Sequence, residues 1–155
     1  MISQKAKYAF KALLHLAERA GQETVQIEEI ARTEGIPRKF LEQILLELKH
    51  RGLIASRRGR AGGYRLVSPA SEITVGQVLR IIDGPVAPLP CLSSTAYRRC
   101  KDCHDEAACS VRRLFARTYA ATLAAMDETS LCDALPGWQS HARGKFLSLE
   151  SVTAG

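Results

Sequence analysis

Thirty residues, from Pro37 to Leu66, do most to limit what this chain can fold into: PRKFLEQILLELKHRGLIASRRGRAGGYRL. Phe40, Leu41, Ile44, Leu45 and Leu48 recur at three- and four-residue steps, so they form one apolar stripe of a helix. Arg38, Lys39, Glu42, Gln43, Glu47 and Lys49 are left to point outward. Pro37 suits the first position of such a helix, and Gly52 ends it. Leu53-Ile54-Ala55-Ser56 and Tyr64-Arg65-Leu66-Val67 then read as two short strands. Gly59, Gly62 and Gly63 allow a tight turn between them.

The same stretch carries the charge. Arg38, Lys39, Lys49, Arg51, Arg57, Arg58, Arg60 and Arg65 stand against Glu42 and Glu47, a balance of +6, which is the formal net charge of the entire chain. On charge alone a membrane surface or RNA would serve as partner, and a merely solvated basic face is the plainest alternative. A basic helix followed by a basic hairpin instead matches a winged helix-turn-helix that grips duplex DNA. Arg57, Arg58 and Arg60 would then meet phosphates or a narrow minor groove, with Arg58 and Arg60 at the wing tip.

The flanks support this. Ser3 can cap a helix over roughly residues 4–20, in which Tyr8, Ala9, Ala12, Leu13, Leu16 and Ala17 share a face and Gly21 ends the run. Its basic residues Lys5, Lys7 and Lys11 lie near the front, and His15 reads as a surface or packing residue. A second short helix is expected from Thr24 onward, with Glu28 and Glu29 in its first turn and Gly35 as its stop. Two helices joined by a tight turn, the second with a polar outer face, is helix-turn-helix grammar. Thr74 caps a further helix of roughly 75–82, and Asp83-Gly84-Pro85 terminates it.

Residues 91–109, CLSSTAYRRCKDCHDEAAC, have no periodic core signal. Cys91, Cys100, Cys103 and Cys109 lie within them, and thiolates select zinc, copper(I) or iron–sulfur clusters. A four-thiolate structural zinc is the rival, and disulfide switching a third reading, with Arg98, Arg99 and Lys101 expected to lower the thiol pKa values. Cys132 reads as core. Ser110 should cap a long helix over 111–127, where Val111, Leu114, Phe115, Thr118, Tyr119, Thr122, Leu123 and Met126 cover much of the circumference. Such a helix needs partners on more than one side, which a twofold homodimer supplies. The opening residues are interrupted by Lys5, Lys7, Lys11, Glu18 and Arg19, unlike a signal peptide or membrane span, so a cytoplasmic protein with no membrane partner is expected. A thiol redox enzyme or electron carrier is the other class considered; no Ser/His/Asp set or phosphate loop accompanies the cysteines.

These residues resemble a known family. SQKAKYAFKALLHLA, GIPRKFLEQILLELKHRGLI, SRRGRAGGYRL and ITVGQVLRIIDG, followed by a cysteine loop and a long helix, look like the Rrf family of dimeric bacterial winged-helix transcription regulators. The resemblance covers about residues 1–135. It implies that Arg38, Lys39, Glu42 and Gln43 enter the major groove, with Glu42 and Gln43 reading bases and Arg58 in the minor groove. It implies a repressor on a palindromic operator, and an iron–sulfur cluster (2Fe-2S or 4Fe-4S) that senses redox state, iron or nitric oxide in the members that hold one through three cysteines and a fourth ligand; sensing through a partner protein or a metabolite is the alternative. This loop is longer than the family's and has four cysteines, so Cys100 is expected as the fourth ligand. Arg112 and Tyr8 stand where some members place a histidine or carboxylate ligand.

The expected architecture is mainly α with a small β-hairpin wing. Residues 1–84 form the winged helix-turn-helix, 85–110 a sensor loop, 111–135 a dimerisation helix and 136–155 a tail.

Overall fold

The computed structural model of the chain describes residues 2–21, 24–59 and 62–137. Five helices and one hairpin follow in order: α1 (Gln4–Glu18), α2 (Ile27–Glu34), α3 (Arg38–His50), β1 (Ile54–Arg57), β2 (Gly63–Leu66), α4 (Val75–Ile82) and α5 (Ser110–Glu128). Short 3-10 turns at Ala70–Glu72, Pro90–Leu92 and Leu131–Ala134 join them. Among the described residues no helix is long and apolar enough to cross a membrane.

The core lies where α1, α3 and α4 meet. Ala6, Ala9, Ala12 and Leu13 of α1 are fully buried, as are Leu41, Ile44, Leu45 and Leu48 of α3 and Val78 of α4. Each large aliphatic side chain so buried contributes about 1.5–3 kcal/mol. The alanines let α1 run close to its neighbours. Tyr8 packs edge-on against Phe40, with ring centroids 5.7 Å apart at 77°. Ser3 caps α1 by accepting from the Ala6 amide at 2.9 Å, and Thr74 caps α4 by accepting from Gln77 at 3.1 Å.

Three local readings need correction. Residues 24–26 are extended and not helical. Val25 bridges Tyr64 of β2, its amide donating to the Tyr64 carbonyl at 2.9 Å and its carbonyl accepting at 2.8 Å. α2 therefore begins at Ile27, two residues after the last partner of the sheet edge. Pro37 is the cap residue before α3 and Arg38 its first member. At α5 the cap is Cys109, whose sulfur accepts from the Arg112 amide at 3.4 Å, and Ser110 is the first helical residue.

The wing is antiparallel, with Ile54 opposite Leu66 and Arg57 opposite Gly63. Its turn closes on the Gly62 amide donating to the Gly59 carbonyl at 2.8 Å. A Cβ on Gly62 would stand 2.5 Å from the Arg57 carbonyl oxygen, so the turn needs glycine there. The tail proposed for 136–155 lies outside the described residues after Gly137.

α5 buries none of its residues within the chain. Ala116, Tyr119, Leu123 and Met126 form its half-buried seam, and Val111, Leu114, Phe115, Thr118 and Thr122 are exposed on other faces. The far end of α5 is fixed to the winged domain. The Val75 amide donates to the Thr129 carbonyl at 2.9 Å, the Leu131 amide donates to Ile73 at 2.9 Å, and Arg80 Nη2 meets Asp127 Oδ1 at 2.5 Å.

Candidate nucleic-acid interface

The amphipathic period of α3 decides what it shows to solvent. With Leu41, Ile44, Leu45 and Leu48 inside, the outer face carries Arg38, Lys39, Glu42, Gln43, Leu46 and Lys49, all exposed. On the wing, Arg57 and Arg58 are also exposed. An open cleft of about 560 Å³ separates the wing from the start of α2, lined by Gln26, Ile27, Glu28, Arg57, Arg58 and Tyr64. Arg60, expected at the wing tip, lies outside the described residues.

The head of α3 is tied to α2. Arg38 Nη2 lies 3.0 Å from Glu28 Oε1, and its Nε donates to Glu42 Oε1 at 3.1 Å. Glu28 escaped the sequence reading as a partner of Arg38, because the two stand ten residues apart on different helices and no spacing rule links them. A second link joins α1 and α2. His15 is buried, not at the surface, with Nδ1 3.0 Å from Glu34 Oε1 and Nε2 3.6 Å from Glu29 Oε1. Arg19 Nε holds the same Glu29 oxygen at 2.7 Å, and Lys11 donates to the Glu34 carbonyl at 2.7 Å. Lys5 pairs with Glu47 of α3 at 2.5 Å, so one of the front lysines of α1 braces the core instead of facing outward.

The cysteine loop is organised by its own polar contacts. Cys91 is buried in the 3-10 turn Pro90–Leu92. The Arg98 amide donates to the Pro90 carbonyl at 3.2 Å and folds the loop back on itself. The exposed Cys100 lies close enough to the Cys91 thiol to be influenced by it. Tyr97 donates to Glu106, which also pairs with Arg112 at 3.7 Å, and Arg99 donates to the His104 carbonyl at 2.9 Å. Lost hydration, the Cys91 thiol and Asp102 push the Cys100 pKa up. This corrects the expectation that neighbouring Lys and Arg would lower it: Arg99 is turned to a backbone carbonyl, while the groups acting on Cys100 are themselves acidic.

All five cysteines are unbridged. Four thiols in one loop suit an iron–sulfur cluster or zinc in kind, since both take thiolate ligands. Among the described residues, however, no three His, Cys, Asp or Glu side chains are gathered to hold a metal ion. Cys91 and Cys103 both act on Cys100, Cys103 through a turn in which its amide donates to the Cys100 carbonyl at 3.3 Å, and a four-thiolate site would need the loop to close further. Tyr8 is committed to Phe40 and Arg112 to Glu106, and neither is offered as a ligand. Cys132 is buried core, as expected.

Known proteins are similar to this chain in sequence and fold. The family described as Rrf2, iron-dependent transcriptional regulator, matches residues 2–136. An rrf2-like HTH-type transcriptional regulator of Rhodobacter capsulatus is 51% identical over 138 residues, spanning 87% of this chain and 92% of that protein. The solved structure of CymR, the global cysteine regulator of B. subtilis, superposes with a TM-score of 0.71 at 31% identity, covering 86% of this chain and 95% of that one. IscR of T. potens superposes with a TM-score of 0.65 at 23% identity over 92% of this chain and 93% of its own, a likeness of fold.

Proposed function

This chain belongs to the Rrf2 family of DNA-binding transcriptional regulators, which are not enzymes, and on that premise we propose that it is a cytoplasmic homodimeric repressor that grips a palindromic operator and senses through its cysteine loop. The observation that carries the reading is the division of α3. One face is fully buried, and the other presents Lys39, Glu42, Gln43 and Lys49 to solvent, while Arg57 and Arg58 are exposed on the wing. In the major groove Glu42 accepts from a cytosine amino group and Gln43 pairs with adenine. Lys39, Lys49, Arg57, Arg58 and Arg60 neutralise phosphates, with Arg58 entering the minor groove.

The exposed apolar face of α5 is the dimer seam. Two reading heads related by a twofold axis require an inverted repeat. Cys91, Cys100, Cys103 and Cys109 would hold an iron–sulfur cluster, which when bound supplies sensitivity to oxidants, nitric oxide or iron supply. The coupling lies in this chain's own contacts. Cys109 caps α5 and is the last residue of the loop, while Asp127 and Thr129 join the other end of α5 to the winged domain. A loop that closes or opens acts on the start of α5 and so on the spacing of the two heads. Each misplaced base contact then costs about 1–3 kcal/mol.

A second reading, thiol–disulfide sensing, draws on the proximity of Cys91 to Cys100, with no three thiols gathered among the described residues, and structural zinc is its rival. Anaerobic purification followed by metal and sulfide analysis decides between them. Iron and acid-labile sulfide in comparable amounts, with visible absorption lost in air, support the cluster. A colourless protein with stoichiometric zinc, or with no metal and a Cys91–Cys100 disulfide after oxidation, ends that claim.

A further inference from the structure

The ion pairs at the head of α3 give Arg38 a task other than touching DNA. Its guanidinium is shared between two carboxylates on the two helices of the helix-turn-helix. Nη2 faces Glu28 of α2 at 3.0 Å, and Nε faces Glu42, one turn along α3, at 3.1 Å. The three side chains are 59%, 55% and 50% exposed. In water such pairs contribute little. Under a docked duplex water is displaced and the local dielectric falls, so the same contacts tighten. A planar guanidinium can hold two carboxylates along two edges, which an ammonium cannot do with fixed geometry.

The geometry assigns Arg38 as a specificity-setting positioning residue, which bridges Glu28 and Glu42 and thereby aims the Glu42 carboxylate at a base edge. The inference rests on the reading of Glu42 as a base contact. First, Arg38 already spends Nη2 and Nε on two carboxylates, so a phosphate drawn to its remaining donors would have to sit beside both acids. The cluster as it stands, two acids and one base, is net negative and does not favour a phosphate. Second, a Glu side chain has three torsions, and without a restraint its carboxylate would swing away from the phosphates. Arg38 engages Oε1, which leaves Oε2 for a base donor such as the cytosine amino group. Glu28 completes the device by anchoring Arg38 to α2, so the reader's aim depends on the packing of the whole motif.

The test begins with the full-length protein and a pool of random duplexes, from which the preferred site is selected. Affinity is then measured for every single-base change in that site, at several salt concentrations. Glu42→Ala should flatten discrimination at one position per half-site, from about 5- to 150-fold to near one. Arg38→Ala should flatten the same position and add nothing further in the Glu42→Ala background. Arg38→Lys should also flatten it while keeping the wild-type salt slope, and Glu28→Gln should flatten it in part. The proposal is overturned if Arg38→Ala weakens all duplexes equally and lowers the salt slope by about one, the signature of a phosphate contact. If Glu42→Ala leaves discrimination intact, Glu42 is not a reader, and the functional reading falls together with this one. If Glu42→Ala flattens it and the Arg38 variants do not, this inference falls alone.

Discussion

At the residue scale, the charged side chains divide into those that face outward and those that brace the fold. Arg58 belongs to the first group. It is exposed on the wing, ahead of the Gly59–Gly62 turn. Arg58→Ala should weaken binding to cognate and scrambled duplexes alike and shallow the salt dependence by about one phosphate's worth; a salt titration that overlays the wild type would remove the wing arginine from the interface. Cys132 belongs to neither group, being a buried, neutral thiol of the core. Burial, then the neighbouring Asp133 carboxylate, pushes its thiol pKa up. The folded state thus holds that proton more tightly than the unfolded chain, whose thiol titrates at about 8.5. Its contribution is intact below that value and is lost as pH rises above it. The fall in Tm on going to alkaline pH should therefore be smaller in Cys132→Ala than in wild type, and equal falls would show that this thiol stays inert.

At the element scale, what was legible in the sequence follows from how local the cause is. α3 and the hairpin could be read because a buried stripe and a glycine turn are local patterns, here Leu41 to Leu48 and Gly59 to Gly63. The start of α2 could not. Val25 is extended because it pairs with Tyr64, far along the chain, and helix propensity gives way to that pairing. The Arg38–Glu28 pair is hidden for the same reason, and so is the His15 link between α1 and α2. In the cysteine loop the four thiols announce themselves, but their grouping depends on contacts such as Arg98 to Pro90 that no spacing encodes. α5 was expected to be apolar on more than one side, and it has a half-buried seam and a separate exposed one. Leu114 is 71% exposed and Val111 52%, an apolar surface that a second copy would cover. Leu114→Glu should place an unpaired charge in that seam and shift the protein from dimer to monomer in sedimentation equilibrium, with loss of operator binding. A variant that remains dimeric would move the twofold axis away from α5.

At the scale of the whole molecule, the parts form one path. The winged domain reads DNA, the loop ending at Cys109 leads into α5, and α5 is the helix we propose to join two such domains. The wing stretch that carries the chain's net charge explains affinity for a polyanion. In the proposed dimer it is α5 that would turn one weak head into a symmetric pair. The account therefore stands or falls on symmetry. Selection from a random duplex pool, followed by measurement of the mass of the complex on the enriched site, tests it most directly. The prediction is an inverted repeat, with half-sites about one helical turn (~10 bp) or a multiple apart, bound by two chains. An unenriched pool, or an asymmetric site bound by a single chain, would contradict it.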